Sequence, residues 1–295
     1  MSQQANKSLQ RRFRAPGGHW VGDGFPVRSL FSYGDGGAEL SPFLLFDYAG
    51  PQNFPPTTAQ LGVGAHPHRG FETVTVVYQG EVEHRDSAGG GGLIGPDEVQ
   101  WMTAAAGVVH EEFHGRHWAA QGGTLEMAQL WVNLPAAAKM TPPRYQALTR
   151  NRIPSVTLPQ QQGQVRVIAG AYQGQNGPAQ TFSPIQLWDL RLTGIGGGPV
   201  TLSLPPGHTT LLAVLHGQLN AGDGLLNAAE VGLYSREGSA LHLAPQGAVT
   251  ALLLCGAPLN EPIVGSGPFV MNTAAEIRQA FADYQSGQMG HLPTS

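Results

Sequence analysis

Apolar and polar residues alternate along most of the first half of the chain, with the period of two that is typical of β-strands. The apolar runs are short, rich in β-branched and aromatic residues, and separated by Gly, Pro and Asp residues that favour turns. The predicted strands span residues 71–78, 80–86, 99–103, 108–113 and 125–134. Four consecutive glycines at 89–92 predict a flexible loop instead of a strand. The pattern predicts a compact β-barrel or β-sandwich.

A second series of short strands follows a break at 135–145 that is rich in Ala and Pro. These strands are predicted at 165–169, 185–192, 200–204, 210–215, 241–243 and 249–255. Their spacing resembles that of the first half, which predicts two barrels of one architecture. We place the boundary in the break, giving an N-terminal domain of residues 1–140 and a C-terminal domain of residues 141–295.

One short helix is predicted near the end of the C-terminal domain. Thr273 and Glu276 have the spacing of a capping box, in which each residue accepts a hydrogen bond from the other's backbone. Ile277, Phe281 and Tyr284 then recur at helical intervals. We expect this amphipathic helix to pack on a barrel.

Composition and charge exclude several classes of protein. Only 12% of residues are charged, 41% are hydrophobic, and the net charge is −4 at pH 7. Beyond Arg11, Arg12 and Arg14 there is no basic cluster, so direct binding of nucleic acid is not expected. No segment is long and apolar enough to span a membrane, and the N-terminus lacks the apolar core of an export signal. The single Cys255 favours a reducing compartment, so we expect a cytoplasmic protein.

Two pairs of candidate metal ligands stand out in the first half. His66 and His68 are separated by one residue, and so are His110 and Glu112. On a strand, residues i and i+2 point to the same face, so each pair aims both its side chains at one side of a sheet. Three imidazoles and a carboxylate suit Fe(II), Ni(II), Cu(II) or Zn(II) better than Mg(II) or Ca(II). The alternative is that these histidines serve packing or lie at the surface.

The other histidines show no such grouping and are interpreted as structural or solvated. They are His19, His84, His114, His117, His208, His216, His242 and His291. The second half contains neither a His-x-His nor a His-x-Glu pair, so we expect the C-terminal domain to bind no metal.

Several segments together resemble the pirin family of bicupins. They are HPHRGFETV at 66–74, QWMTA at 100–104, GVVHEE at 107–112 and QLWVNLP at 129–135. The resemblance extends to VGDGF at 21–25, SPFLLFD at 41–47 and GPFVMNT at 267–273, and so covers nearly the whole chain.

The resemblance implies an all-β bicupin fold: two facing antiparallel β-barrels of the jelly-roll type, with the short helix at the C-terminal end. It also implies one mononuclear non-haem metal in the N-terminal barrel and a metal-free C-terminal barrel. The metal expected is Fe(II), with Ni, Cu, Mn and Zn as alternatives. The family's ligands fall on His66, His68, His110 and Glu112 of this chain.

Glu72 is a competing carboxylate, because many cupins outside this family take their acidic ligand from that motif. Glu72 lies four positions along the strand from His68, a span of about 13 Å, which is too far for shared coordination unless Gly70 bends the chain. Glu112 lies beside His110 and needs no such bend. We therefore assign the carboxylate ligand to Glu112 and expect Glu72 to act on a ligand indirectly.

The chain departs from the family pattern at three places. Ala105 stands where pirin-like sequences usually have Gly, and the stretches at 89–92 and 114–118 are unusual. These departures leave the expected ligands unchanged and affect the mouth of the pocket.

The resemblance implies a dioxygenase that cleaves a flavonol such as quercetin with O₂, because members of this family are similar to quercetin 2,3-dioxygenases. Four protein ligands leave one or two positions on the metal open for substrate or O₂. Glu112 is then also the expected catalytic residue, since by loosening from the metal it could accept the flavonol hydroxyl proton as a general base.

The alternative hypothesis is a non-catalytic, iron-binding, redox-responsive regulator that acts through a protein partner. The ligands are the same in both cases, so the motif does not separate them. A pocket beside the metal, wide enough for a three-ring aromatic, favours the enzyme, whereas a closed site beside an exposed patch favours the regulator. In either case we expect a monomer.

Overall fold

The computed structural model describes residues 5–196 and 198–292, most of them in short strands. Its α-helices are α1 (Tyr33–Gly36), α2 (Arg116–Gln121) and α3 (Ala274–Gln285), and short 3₁₀ turns span Gly37–Glu39, Ala136–Ala138, Arg150–Arg152 and Pro159–Gln161. The first thirteen strands are β1 (Leu9–Arg14), β2 (His19–Val21), β3 (Phe25–Ser32), β4 (Phe43–Phe54), β5 (Gly62–His68), β6 (Phe71–Gln79), β7 (Val82–Asp86), β8 (Gly91–Ile94), β9 (Val99–Thr103), β10 (Val108–His114), β11 (Gly123–Asn133), β12 (Arg144–Leu148) and β13 (Ser155–Thr157). The others are β14 (Gly163–Ala169), β15 (Ala171–Tyr172), β16 (Gln175–Asn176), β17 (Ile185–Leu192), β18 (Val200–Ser203), β19 (Thr209–His216), β20 (Gln218–Ala221), β21 (Gly224–Asn227), β22 (Glu230–Tyr234), β23 (Ala240–Pro245), β24 (Val249–Gly256), β25 (Val264–Ser266) and β26 (Phe269–Met271).

The chain divides into two compact units, each made of more than one segment. The first unit contains Gly17–Ala38, Phe43–Arg150 and the described residues from Leu259 onward. The second unit contains the described residues up to Pro16, together with Glu39–Pro42 and Asn151–Pro258.

A single boundary at residue 140 would place the N-terminal strand in the first unit and the C-terminal helix in the second. The structure assigns both chain ends the other way round. The N-terminal strand β1 pairs antiparallel with β22 of the second unit, with Phe13 opposite Val231. Helix α3 belongs to the first unit, where Ile277 and Ala280 join an apolar cluster with Val109. Periodicity locates strands and helices but does not say which sheet they join, so the sequence could not assign these ends.

The segment 135–145, predicted as the linker, lies within the first unit. It leads into β12, which pairs antiparallel with β9 from Arg144 opposite Thr103 to Leu148 opposite Val99. The change of unit comes later, between Arg150 and Asn151.

The first unit is built around two large antiparallel sheets and also contains the two-stranded sheet of β25 and β26. The larger has seven strands in the order β12-β9-β6-β11-β4-β3-β2, and the smaller has four in the order β5-β10-β7-β8. Buried apolar side chains from both sheets pack together, among them Val27, Val77, Val82, Ile94 and Leu125. Because alternate strand residues face this core, each sheet presents one set of side chains inward.

The second unit repeats this plan. A seven-stranded sheet in the order β1-β22-β19-β24-β17-β14-β13 accompanies a four-stranded sheet in the order β18-β23-β20-β21. Its core contains Trp188, Leu212, Leu241 and Leu253, and also the fully buried Cys255. The predictions of an all-β protein and of two units with one architecture are confirmed.

The glycine-rich stretch differs from its prediction as a loop. Gly91 and Gly92 belong to β8 and lie opposite Arg85 and His84 of β7. A Cβ atom on Gly91 would lie only 2.8 Å from the carbonyl oxygen of His84. The glycines therefore permit a close approach to β7, which outweighs their low strand propensity at this position.

The predicted C-terminal helix is present as α3, with one of the two hydrogen bonds of its predicted capping box. The Thr273 side chain accepts a hydrogen bond from the backbone nitrogen of Glu276 at 3.2 Å. The Glu276 carboxylate in turn lies 3.1 Å from the backbone nitrogen of Asn272. Among the residues described, no helix is long and apolar enough to cross a membrane.

Candidate metal centre

Strands β5 and β10 bring the three predicted histidine ligands together. The strands are antiparallel neighbours with His110 opposite His66, and the register shifts between His110 and Glu112. The ring centroids of His66 and His110 are 4.2 Å apart, and that of His68 is 4.9 Å from each of them. One nitrogen from each of the three rings falls within 4.8 Å of the other two. This spacing suits a shared metal ion.

Glu112 belongs to a second, overlapping group. One of its carboxylate oxygens lies within 4.8 Å of ring nitrogens of His110 and His84, which are themselves within that distance of each other. The two groups share His110. The structure thus gathers the three predicted imidazoles into one group and places Glu112 in a second group, with His110 and a histidine that the sequence did not single out.

The hydrogen bonds of His66 and His68 leave one ring nitrogen of each free for a metal. His66 Nδ1 lies 2.9 Å from the carbonyl oxygen of Gly64, and His68 Nδ1 lies 3.3 Å from that of Pro268. A carbonyl oxygen only accepts, so Nδ1 carries the proton in both rings. The lone pair of a neutral imidazole is then on Nε2, which is the form that coordinates metal.

His110 provides a direct test of whether a metal fits here. It is fully buried, and its Nε2 atom has no hydrogen-bond partner within the described chain. A buried polar atom without a partner costs about 1 to 3 kcal/mol, so such atoms are rare in native proteins. A metal ion bound to Nε2 would satisfy it. The donor set, with three imidazoles and a carboxylate, fits a divalent transition metal.

Burial keeps two of these imidazoles uncharged. Desolvation, with a smaller contribution from the neighbouring His66 ring, lowers the pKa of His68 to about 3. Desolvation, followed by the nearby His68 and His66 rings, holds the pKa of His110 well below its usual value. Both rings are therefore neutral at physiological pH and need to lose no proton before they bind a metal.

Two glutamines hold the Glu112 carboxylate. Gln100 Nε2 donates to Oε1, and Gln129 Nε2 donates to Oε2 at 3.1 Å. Gln100 also lies 3.4 Å from the Tyr145 hydroxyl. One signal is readable along the chain for Gln100, which stands between Val99 and Trp101 on a fully buried strand, where an amide needs a polar partner.

Glu72 is in neither candidate ligand group. It is 1% exposed, and its Oε1 accepts a hydrogen bond from Thr103 Oγ1 at 2.7 Å. Desolvation raises the pKa of Glu72 to about 7. Its carboxyl group therefore binds a proton more readily than an ordinary glutamate does.

His84 does not match its interpretation as an isolated histidine. It is buried on β7, and its ring centroid lies 5.1 Å from that of His110. A signal for it is nevertheless present in the sequence. His84 and Asp86 are separated by one residue, like the two ligand pairs, and they point to the same face of their strand.

Residues near the C-terminus support the loop that follows His68. The backbone nitrogen of Arg69 donates to Pro268 at 3.3 Å, and that of Val270 donates to Arg69 at 3.1 Å. The Arg69 guanidinium pairs with Asp283 at 2.7 Å inside the unit. Gly70, at φ +89°, lies against Val270, and any Cβ there would collide with the Val270 carbonyl oxygen. The His68–Gly70 segment is thus held in place by contacts with residues near the C-terminus of the chain.

Ala105 adopts the backbone conformation that favours glycine, with φ at +44°. Its carbonyl oxygen accepts a hydrogen bond from the backbone nitrogen of Gly70 at 2.9 Å. The position where the family resemblance leads us to expect glycine therefore has a backbone conformation that favours glycine, and alanine occupies it here.

The quartet of His66, His68, His110 and Glu112 is largely closed off. His68 is 6% exposed and Glu112 5%, and only His66 is partly exposed. Three cavities in the described chain, with volumes of about 230, 410 and 520 Å³, are lined by other residues. Solvent therefore reaches the quartet mainly from the His66 side.

Comparison with known proteins agrees with this architecture. A Pseudomonas aeruginosa protein provisionally named quercetin 2,3-dioxygenase is 56% identical over 270 residues, which is 92% of this chain and 94% of that protein. A pirin-like protein of Caulobacter vibrioides is 34% identical over 92% of this chain and 96% of its own length. The crystal structure of quercetin 2,3-dioxygenase from Acinetobacter baumannii, 53% identical, superposes with a TM-score of 0.94 over 97% of this chain and 99% of that one.

Family models match both halves of the chain. The pirin model matches residues 24–132, and the pirin C-terminal cupin domain matches residues 187–290. The predicted bicupin fold is confirmed by these matches and by the two similar units. The chain therefore belongs to the pirin family.

Proposed function

We propose that this protein is a metal-dependent dioxygenase that cleaves a flavonol such as quercetin. The observation that carries the proposal is the group of His66, His68 and His110, whose ring nitrogens lie within 4.8 Å of one another, with Glu112 in a second group that shares His110. The buried Nε2 atom of His110 has no hydrogen-bond partner within the described chain. The similarity to proteins named quercetin 2,3-dioxygenases supports the reaction class.

The four residues would hold one divalent ion, with Fe(II) as our proposal and Ni, Cu, Mn and Zn as alternatives. When bound, the ion would act as a Lewis acid and a template for the 3-hydroxyl and 4-carbonyl oxygens of the flavonol. Both candidate groups of ligands in the described chain lie in the first unit, which supports one ion per chain and a second unit without metal.

Glu112 is the proposed catalytic residue. A carboxylate has about four acceptor sites, and the amides of Gln100 and Gln129 occupy one on each oxygen. The remaining lone pairs can bind the metal or take the flavonol hydroxyl proton. The two amides keep the carboxylate aimed at the site, whichever role it performs at a given moment.

The proposed reaction is balanced without another reductant. The flavonol gives its 3-hydroxyl proton to Glu112, and O₂ adds across the heterocycle. Two carbon–carbon bonds break, carbon 3 leaves as carbon monoxide with its own oxygen, and both atoms of O₂ stay in the depside product. Glu112 then returns the proton to the product, which restores the carboxylate.

One observation favours the second candidate, a non-catalytic and redox-responsive metal protein that acts through a protein partner. The quartet is largely buried, and three open cavities of the chain lie elsewhere. His66 is the partly exposed member of the quartet, so a three-ring flavonol would approach from the His66 side.

The deciding experiment loads the metal-free protein with Fe(II) without oxygen, adds quercetin, and then admits air. The enzyme should remove the near-ultraviolet band of quercetin and release one carbon monoxide per flavonol, whereas His110→Ala should do neither. Stoichiometric metal with no loss of quercetin would contradict the enzyme and favour the regulator.

The location, oligomeric state and partners of the protein are further parts of the proposal. We propose a cytoplasmic monomer that binds neither nucleic acid nor a membrane. The net charge of −4 and the single, buried Cys255 support the location and the absence of nucleic acid as a partner. The monomeric state stays a prediction, which size-exclusion chromatography with light scattering would test.

A further inference from the structure

A line of three buried side chains runs from the carboxylate of Asp86 to the unpartnered nitrogen of His110. Asp86 Oδ1 accepts hydrogen bonds from the backbone nitrogens of Ala88 and Gly90, both at 2.9 Å. Asp86 Oδ2 lies 3.2 Å from His84 Nε2. His84 Nδ1 in turn lies 3.3 Å from His110 Nδ1. The line therefore ends at the ring whose Nε2 atom is aimed into the candidate metal centre.

The acceptors along this line determine where the protons are. An ionised carboxylate only accepts, so His84 must carry its proton on Nε2. With one proton on its ring, His84 is then an acceptor at Nδ1, and the proton between the two Nδ1 atoms belongs to His110. A neutral His110 protonated at Nδ1 has its lone pair on Nε2, the atom that finds no partner within the described chain.

The surroundings hold each member of the line in place. The Tyr145 ring stacks on His84 with a centroid distance of 4.9 Å and an angle of 14° between the planes. The strand pairing of β7 with β10 sets His110 opposite Asp86. At Gly90 a side chain is excluded, because a Cβ atom would collide with Asp86 Oδ2. The glycine-rich stretch thus supplies both an N–H donor and the space for the carboxylate.

We propose that Asp86 and His84 are positioning residues that fix the tautomer of His110, so that Nε2 is always available to the metal. This inference rests on the proposed metal site but goes beyond its ligands. It assigns the group of His84, His110 and Glu112 to the support of the first metal position and not to a second one. Hydrogen bonds behind metal-bound histidines are a general means of orienting the ring and raising its basicity.

Asp86→Asn should reverse the direction of every hydrogen bond along the line, while the side chain at position 86 keeps almost the same shape. Ala88 and Gly90 still present two N–H donors, so the side-chain oxygen of Asn stays with them and its NH₂ group turns to His84. His84 then accepts at Nε2 and carries its proton on Nδ1. His110 must accept from it, which moves the His110 proton to Nε2 and blocks the metal. The same exchange behind a catalytic histidine is known to impose the wrong tautomer.

The first measurement uses the metal-free protein and needs no turnover. Long-range ¹H–¹⁵N spectra of the imidazole rings should give His84 protonated at Nε2 and His110 at Nδ1 in the native chain, and both tautomers reversed in Asp86→Asn. The second measurement is the Kd for Ni²⁺ by calorimetry, which should rise about 10- to 100-fold in Asp86→Asn. If the native protein binds no Ni²⁺ or Fe²⁺, the proposed function fails, while the spectra still test the line.

Glu111→Gln is the matched control. It removes one acidic charge from the residue next to His110, but Glu111 pairs with Arg85 and not with His84. In Glu111→Gln, the tautomers of His84 and His110 and the Kd for Ni²⁺ should be unchanged. An equal loss of Ni²⁺ affinity in Glu111→Gln would show that charge alone matters and would overturn the proposal. Unchanged His110 tautomers in Asp86→Asn would also overturn it, as would two Ni²⁺ ions per native chain.

A second pair of variants decides the matter should Asp86→Asn not fold. His84→Asn places an amide oxygen near the former Nδ1 position, so His110 keeps an acceptor and should keep its tautomer and Ni²⁺ affinity. His84→Leu fills a similar volume but offers no acceptor, so affinity should fall. Equal affinities in these two variants would contradict the role of His84.

Discussion

Pro268 presents its backbone carbonyl oxygen 3.3 Å from Nδ1 of His68, although 200 residues separate the two along the chain. The contact is reinforced by the neighbouring backbone, where Arg69 donates to Pro268 and Val270 donates to Arg69. One candidate metal ligand is thereby oriented by a segment that follows the last residue of the second unit, Pro258. Stability and metal binding should therefore be linked through this C-terminal segment.

The buried pair of Arg69 and Asp283 provides a test of that link. Its side chains are 5% and 10% exposed, and Arg69 also donates to the carbonyl oxygen of Ala106 at 2.6 Å. Asp283→Asn removes the charge that balances a buried guanidinium, so urea denaturation should give a loss of about 3 kcal/mol in unfolding free energy. The same exchange at Asp97, whose pair with Arg150 is exposed at 3.9 Å, should cost less than about 1 kcal/mol. Equal losses in the two variants would contradict an anchoring role for Asp283.

Removal of a single histidine should release the metal. His68→Ala and His110→Ala each delete one donor nitrogen, so the metal content of the purified protein should fall at least about tenfold. The native protein should hold close to one ion per chain, and Glu111→Gln should hold the same amount. Elemental analysis of the four proteins checks this. Stoichiometric metal in both histidine variants would reject the ligand assignment.

The two carboxylates should differ in what they control. Glu112→Gln keeps an oxygen donor but removes the base, so some metal should remain while quercetin turnover falls about 10² to 10⁴-fold. Glu72→Gln, which changes a residue outside both ligand groups, should cost about 10 to 100-fold at most. Metal content and turnover are measured for both. Loss of the metal in Glu72→Gln alone would mean that the carboxylate ligand has been assigned to the wrong motif.

Glu72 should also make stability depend on pH. Burial raises its pKa from 4.5 to about 7, so the folded protein binds a proton that the unfolded chain has released. The stabilising contribution is complete below about pH 4.5 and is lost as the pH rises through about 7. In the metal-free protein, Glu72→Gln should therefore gain up to about 3 kcal/mol over the native chain between pH 5 and pH 8. A difference in unfolding free energy that stays constant over this range would contradict the raised pKa.

The spacing of residues along the chain predicts most of the strands and which candidate ligands share a face of a strand. The ligand assignment itself stays a prediction. A period of two determines which side chains share a face, so His66 with His68 and His110 with Glu112 could be paired from their spacing alone. The Thr273 cap of α3 was readable for the same reason, since its hydrogen bond to Glu276 joins residues three positions apart.

Pairing between distant strands could not be read in this way. Nothing local to His68 indicates that its partner is Pro268, and nothing local to Glu112 indicates Gln100 and Gln129. The placement of β8 could not be predicted because glycine propensity says nothing of the neighbouring strand. His84 was not predicted as part of the site, although it has the same spacing to Asp86 as the ligand pairs have between their members.

The interleaving of the two units has a consequence for how the protein is made. A ribosome completes the chain from the N-terminus, and domains usually fold as they emerge. In this chain, β1 cannot pair until β22 has been synthesised. The carbonyl group that orients His68 belongs to Pro268, which is synthesised later still. The first unit therefore lacks Pro268 and Asp283 until synthesis is almost finished. Metal should enter a released, full-length chain, and a nascent chain stalled before residue 268 should bind it poorly.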